Sequence, residues 1–204
     1  MRGDGTAPAD TKELILEVGL RHFSAHGYAG TSLNDIADEV GIRRPSVLHH
    51  FPSKDALYRS VVLAAFSDWY WLAEEATSDV ESGWPQVERV LRTAFQFFEE
   101  RPEAVRLARR EALDGGPVLA EEMAKVLRPG FAAACDWLQQ EMDAGRLRTY
   151  DPGQLLLTAY GTVLSYLSDA ALITALRGVD PLSPAELASR REHVLKILRV
   201  ALEP

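Results

Sequence analysis

Apolar residues return at helical spacing along almost the whole of this 204-residue chain, with Gly and Pro punctuating the runs. That pattern leaves little room for anything but helices. No segment alternates as a half-buried strand does, and no Asn-Gly or Asp-Gly turn joins two β-rich runs. The chain therefore reads as all-α, without internal repeats. The first helix is expected from Asp10, which can cap it with Glu13, to Gly27. Leu16, Gly19, Leu20 and Phe23 form its apolar stripe. Thr31 is expected to cap a second, short helix that carries Leu33, Ile36, Ala37 and Val40 and stops at Gly41. A third runs from Arg44 to His50 with Pro45 in its first turn, where the missing N–H costs little. Ser53 caps a fourth that continues to about Thr77. Gly- and Pro-rich breaks near residues 82–85, 101–102, 114–117, 145–152 and 178–184 leave five more. The expectation is nine helices: a disordered tail at 1–9, a module at 10–55 and a module at 56–204, with the fourth helix shared.

Composition narrows the class. Hydrophobic residues make up 47% of the chain, enough for a core and too many for a disordered protein. One cysteine, Cys135, excludes an internal disulfide framework and a cysteine-rich zinc module. Every long apolar stretch is interrupted by charge, so no membrane span or membrane partner is expected. The first ten residues lack the apolar region of a signal peptide, and a cytoplasmic protein is expected. Lys and Arg number 22 against 30 Asp and Glu, a net charge of −8, which excludes a uniformly basic nucleic-acid coat.

Charge by position says something different. Residues 1–55 are net −2, yet residues 41–54 hold Arg43, Arg44 and Lys54 and no acid. They fall in TSLNDIADEVGIRRPSVLHHF, residues 31–51: a short helix, a turn at Gly41 and a second short helix. This is the helix-turn-helix pattern. Gly41 permits the positive φ of the reversal. Ala37 is small enough for the two helices to cross closely, and Ile42 and Val47 are apolar anchors. Arg43, Arg44, Ser46, His49 and His50 cluster on or beside the third helix, which is the right size for a DNA major groove.

The run from Ile15 to Lys54 resembles the DNA-binding region of TetR-type transcriptional regulators. The matching pieces are Phe23, Gly27-Tyr28, Thr31-Ser32, Ile36-Ala37, Val40-Gly41, His50-Phe51 and Ser53-Lys54. The resemblance implies a TetR-like fold: a three-helix DNA-binding module followed by a helical bundle that binds an effector and dimerises. It implies a double-stranded DNA operator, a homodimer and a small-molecule effector as partners. Thr31 and Ser32 would meet a phosphate at a helix N-terminus, and Lys54 another. Arg43, Arg44, Ser46 and His49 would face base edges. Val47 points to the core or to a thymine methyl. Two positions depart from the family: Leu48 stands where a phosphate-binding Tyr is usual, and Arg43 where a small helix-capping Ser or Thr is common.

For the effector, the sequence offers Phe66, Trp69, Tyr70, Phe95, Phe98, Trp137 and Tyr160 as aromatic lining, with Arg109 as a polar partner. Each aromatic has the competing reading of plain core. The run holding Arg106, Arg109 and Arg110 reads as a solvated face, with one arginine available to an anionic effector. Leu167, Ala171 and Leu172 on the eighth helix, and Leu187, Val194, Leu195 and Leu198 on the ninth, form stripes for a four-helix seam between subunits or for the chain's own core. An enzyme would need a nucleophile, carboxylate or metal set. His22 and His26 have metal-sharing spacing without a third ligand, so neither a catalytic residue nor a cofactor is expected. The reading is a regulator, most often a repressor, released from a palindromic operator by a hydrophobic or aromatic effector. The alternative is an activator, or a helical small-molecule-binding protein.

Overall fold

The computed structural model describes the backbone of residues 11–77, 81–114 and 117–204 and, within these, all side chains but those of 66–77, 111, 114, 117–123 and 126. The expected tail and Asp10 cap lie outside the described residues. Ten helices and no strand are found among them: α1 (Thr11–Gly30), α2 (Leu33–Val40), α3 (Arg44–His50), α4 (Lys54–Thr77), α5 (Trp84–Glu99), α6 (Pro102–Asp114), α7 (Pro117–Asp143), α8 (Pro152–Ser168), α9 (Ala170–Arg177) and α10 (Pro184–Leu202).

The tenth helix comes from a break that the sequence pattern conceals. The run from Val163 to Leu176 was expected to be one helix, but α8 and α9 meet at Asp169 with a bend of 73°. The Ser168 hydroxyl donates to the Ser165 carbonyl at 3.3 Å and to the Asp169 carboxylate at 3.0 Å. Ser and Asp side chains compete here with the helical ladder. No single helix among the described residues is long and apolar enough to cross a membrane.

Near the start, Gly27 bends α1 rather than ending it. Its φ of 71° and ψ of 177° interrupt the helix, which resumes as far as Gly30. The buried stripe is Ile15, Val18, Gly19 and Phe23, with Leu16 and Leu20 at its edge. Thr31 does not cap α2. Its hydroxyl is buried and donates to the Gly27 carbonyl at 2.8 Å, closing the bend. Ser32 caps α2 instead, accepting from the Asn34 N–H at 3.1 Å. Ser53 caps α4 through the Ala56 N–H at 3.0 Å.

One core runs from end to end. Ile15, Phe23, Ile36, Val47, Leu57 and Val61 pack in the same cluster as Phe97, Ala104, Leu107, Val163 and Val194. It therefore passes through the expected boundary at residue 55 without interruption. The approach of α1 to α4 is close: a Cβ on Gly19 would lie 3.0 Å from Val61 Cγ2. A second cluster joins Trp84, Leu91, Leu138, Met142, Leu147, Leu195 and Leu202. Over it lies the buried Glu141, which accepts from the Gly83 N–H at 2.7 Å and from the Arg146 guanidinium at 2.7 and 2.6 Å. Arg146 holds this carboxyl below the usual range, against the opposing effect of burial and with help from Gly83. Cys135 is a half-buried free thiol.

Candidate nucleic-acid interface

The reversal between α2 and α3 is built on Gly41, at φ 78° and ψ 28°. Its N–H donates back toward the Ala37 and Asp38 carbonyls, and the Ile42 N–H donates to Ala37 at 2.9 Å. Leu33, Ile36 and Ala37 are buried, and Val47 is wholly so, which seats α3 across α2. Of the two directions open to Val47, the core is the one it takes. The other face of α3 is free: Arg43, Arg44, Pro45, Ser46 and His49 are exposed, while Leu48 and His50 are half-buried. Leu48 packs against the core. Arg43 precedes α3 without a side-chain cap.

Beside this face lies a recess bordered by Ser32, Asn34, Arg44, Leu48, Ser53 and Lys54. The N-termini of α2 and α4 both open into it. Free N–H groups, the positive ends of two helices and two cationic side chains make it a site for an anion such as a DNA phosphate. The Lys54 ammonium is held in place, 4.6 Å over the Tyr28 ring and 3.4 Å from the Ala29 carbonyl, to which it donates. Tyr28 in turn meets Tyr58 edge-on at 5.0 Å, and Tyr58 meets Phe23 at 4.8 Å. The sequence pattern contained Tyr28 but gave no role for it; the platform depends on Tyr58, thirty positions away. Thr31, grouped with Ser32 as a phosphate contact, is buried beneath the recess and shapes it from behind.

A second long-range group braces the module. Arg21 spans Glu17 at 2.7 Å and Glu39 at 2.8 Å, and His22 Nε2 meets Glu39 at 2.7 Å. Arg21 first, then His22, hold the Glu39 carboxyl below its usual range. The histidine whose spacing suggested a metal is thus engaged with a carboxylate that ties α1 to α2.

The proposed effector residues do not gather in one place. Phe95 and Phe98 are buried in the main core, and Trp137 packs against the second cluster. Tyr160 is half-exposed on α8. Arg109 Nη2 stands 4.0 Å from Asp169, and its Nε is buried with no partner among the described residues. The side chains of Phe66, Trp69 and Tyr70 lie outside the described residues. On α10 the structure corrects the expected seam. Val194 and Leu195 are buried in the chain's own core, Leu198 joins both clusters, and Leu187 is half-buried. Leu167 likewise packs on the main core. Of the expected seam, Ala171 and Leu172 on α9 do face outward; the other outward apolar side chains here are Leu176 on α9 and Ile197 and Val200 on α10.

Comparison with known proteins agrees with this architecture. Residues 15–61 match the family of bacterial regulatory proteins, tetR family, and residues 85–198 match the tetracyclin repressor-like C-terminal domain. The HTH-type transcriptional regulator RutR of Escherichia coli K12 is 25% identical over 193 residues, 95% of this chain and 91% of that protein. The HTH-type transcriptional repressor KstR2 of Mycolicibacterium smegmatis is 30% identical over 110 residues, about half of each chain. Among solved structures, the ketosteroid transcriptional regulator KstR2 of Mycobacterium tuberculosis superposes with a TM-score of 0.72 at 21% identity, covering 100% of both chains. The fatty acid degradation regulator FadR of Bacillus halodurans does so with a TM-score of 0.70 at 12% identity, over 93% of this chain and 97% of that one. With its reading head and its C-terminal bundle each matched, this chain belongs to the TetR family and is a helix-turn-helix DNA-binding transcriptional regulator.

Proposed function

We propose that this chain is a cytoplasmic repressor that binds a two-fold symmetric operator as a homodimer and leaves it when a small apolar or aromatic effector enters the C-terminal bundle. The observation that carries the reading is the exposed face of α3. Arg43, Arg44, Ser46 and His49 stand free beside a recess where two helix N-termini and Lys54 converge. Arg43, Arg44, Ser46 and His49 meet base edges in the major groove, while Ser32 and Lys54 take phosphates. The few cations on each head make affinity depend on two heads binding together.

The seam between subunits is the outward face of α9 and α10, where Leu172, Leu176, Ile197 and Val200 are exposed. This surface replaces the inward stripe of Val194, Leu195 and Leu198. The described aromatic candidates are divided between two cores, so the polar contact offered to the effector is Arg109, whose buried Nε has no partner among the described residues. The effector acts by binding the free and DNA-bound conformations unequally. In vitro selection from a random duplex library, followed by anisotropy at low and moderate salt, tests the reading. The expected result is a palindromic sequence bound far more tightly than random DNA, with affinity falling as salt rises. Equal affinity for selected and random duplexes would sink it.

A further inference from the structure

The three arginines of α6 look alike in sequence, but the structure sends them to three different places. Arg106 Nη2 pairs with Glu103 at 2.8 Å on its own helix, and Arg109 reaches toward Asp169 at the α8–α9 bend. Arg110 crosses to the DNA-binding module, where its Nη2 donates to the Ala25 carbonyl at 3.2 Å. Ala25 lies two residues before the bend at Gly27. Carbonyls just before a helix break are the negative end of the peptide dipoles, which suits a guanidinium. A Cβ on Gly27 would sit 3.1 Å from Arg110 Nη1 and 3.3 Å from Arg110 Cδ. Glycine at 27 thus serves the positive φ and leaves room for the arginine.

The segment that Arg110 grips leads directly to the reading head. From Gly27, whose carbonyl takes the Thr31 hydroxyl, the chain passes to the Ser32 cap of α2. α6 also packs on α8 and α5, inside the sensor module, and α1 packs on α6 as extensively as on α4. Resting on the dimeric-operator reading above, we propose that Arg110 is a positioning residue for operator binding. Its grip on the α1 bend fixes the angle at which each reading head leaves the sensor module, and so the spacing of the two heads.

Spacing is a readout that a merely stabilising contact would not move. The experiment uses the full chain and four duplexes: the palindrome selected on the wild type, versions with half-sites one base pair nearer or farther, and a single half-site. Arg110→Met keeps the stem and removes the donors; Arg110→Lys keeps a charge and a donor. Arg110→Met is expected to lose about tenfold on the palindrome, to match the wild type on the half-site, and to discriminate less among the three spacings. Arg110→Lys is expected to recover part of that discrimination. Equal losses on half-site and palindrome, or an unchanged spacing preference, overturn the proposal. Should Arg110→Met melt well below the wild type, Arg110→Lys carries the same comparison: a spacing preference identical to the wild type's overturns it, and a relaxed one supports it. A wild type that binds half-site and palindrome equally refutes the dimeric-operator reading itself, and the proposal with it.

Discussion

Arg44 and Lys54 border the same recess, yet their surroundings give them different work. Arg44 stands free on the exposed face of α3, whereas Lys54 is already held by Tyr28 and the Ala29 carbonyl. Arg44→Ala should therefore cost about 1–3 kcal/mol on the selected operator and relax the choice of base at one position. Lys54→Ala should weaken all duplexes alike and lower the salt slope by about one. Anisotropy on selected and scrambled DNA over a salt series separates the two. Glu141 shows a different kind of residue-scale effect. Glu141→Ala strands the Gly83 N–H and should cost about 1–3 kcal/mol of unfolding free energy at neutral pH. Glu141→Gln keeps an acceptor but removes the charge. Because the folded-state carboxyl titrates below its ordinary range, its ionic contribution is fully present above that range. It is lost as pH falls through the depressed value. The gap between wild type and Glu141→Gln in urea unfolding should narrow on acidification; a constant gap would contradict the ionic role.

Elements differ in how plainly the sequence announces them, and the difference is one of range. The α2–α3 reversal rests on neighbours: Gly41, Ala37 and Ile42 lie within six positions, so the pattern was legible down to the capping glycine. The α8–α9 break was not, because Ser168 and Asp169 sit inside an unbroken apolar run and only their hydrogen bonds reveal the bend. On α10 apolar residues occur on both sides, and Leu198 and Ile197 are adjacent, so periodicity could not say which side a core had already taken. The Arg110 contact spans 85 positions and has no local signature. Two glycines illustrate what the elements demand. A Cβ on Gly41 would meet nothing within 4 Å, so Gly41→Ala should cost only the left-handed φ, about 1–2 kcal/mol. Gly19 meets Val61 at 3.0 Å, and Gly19→Leu should overpack the α1–α4 crossing by about 1–3 kcal/mol. Thermal unfolding of both variants checks this, with operator affinity falling alongside stability for each.

At the scale of the whole molecule, the acidic balance and the DNA-binding role are reconciled by geography. Residues 56–204 are net −6, whereas residues 41–54 hold three cations and no acid. An acidic body discourages loose binding to random DNA and leaves recognition to two small heads. The outward face of α9 and α10 should hold those heads together. Ile197→Glu with Val200→Glu, which leaves the chain's own core untouched, should yield a monomer by sedimentation. It should bind a half-site normally and the palindrome no better than a half-site. A dimer that persists in this variant would place the seam elsewhere. The core that passes unbroken through residue 55 has a further consequence. Reading head and sensor cannot melt as separate units, so calorimetry should record one transition. A segment ending at residue 55 would lose Leu57, Val61 and Leu107 from the cluster that holds Phe23 and Ile36. Transplanting this head onto another regulator's sensor would succeed only if the facing surfaces of α4 and α6 travelled with it, so that exchange of partners between such proteins is constrained by shared packing more than by the DNA they read.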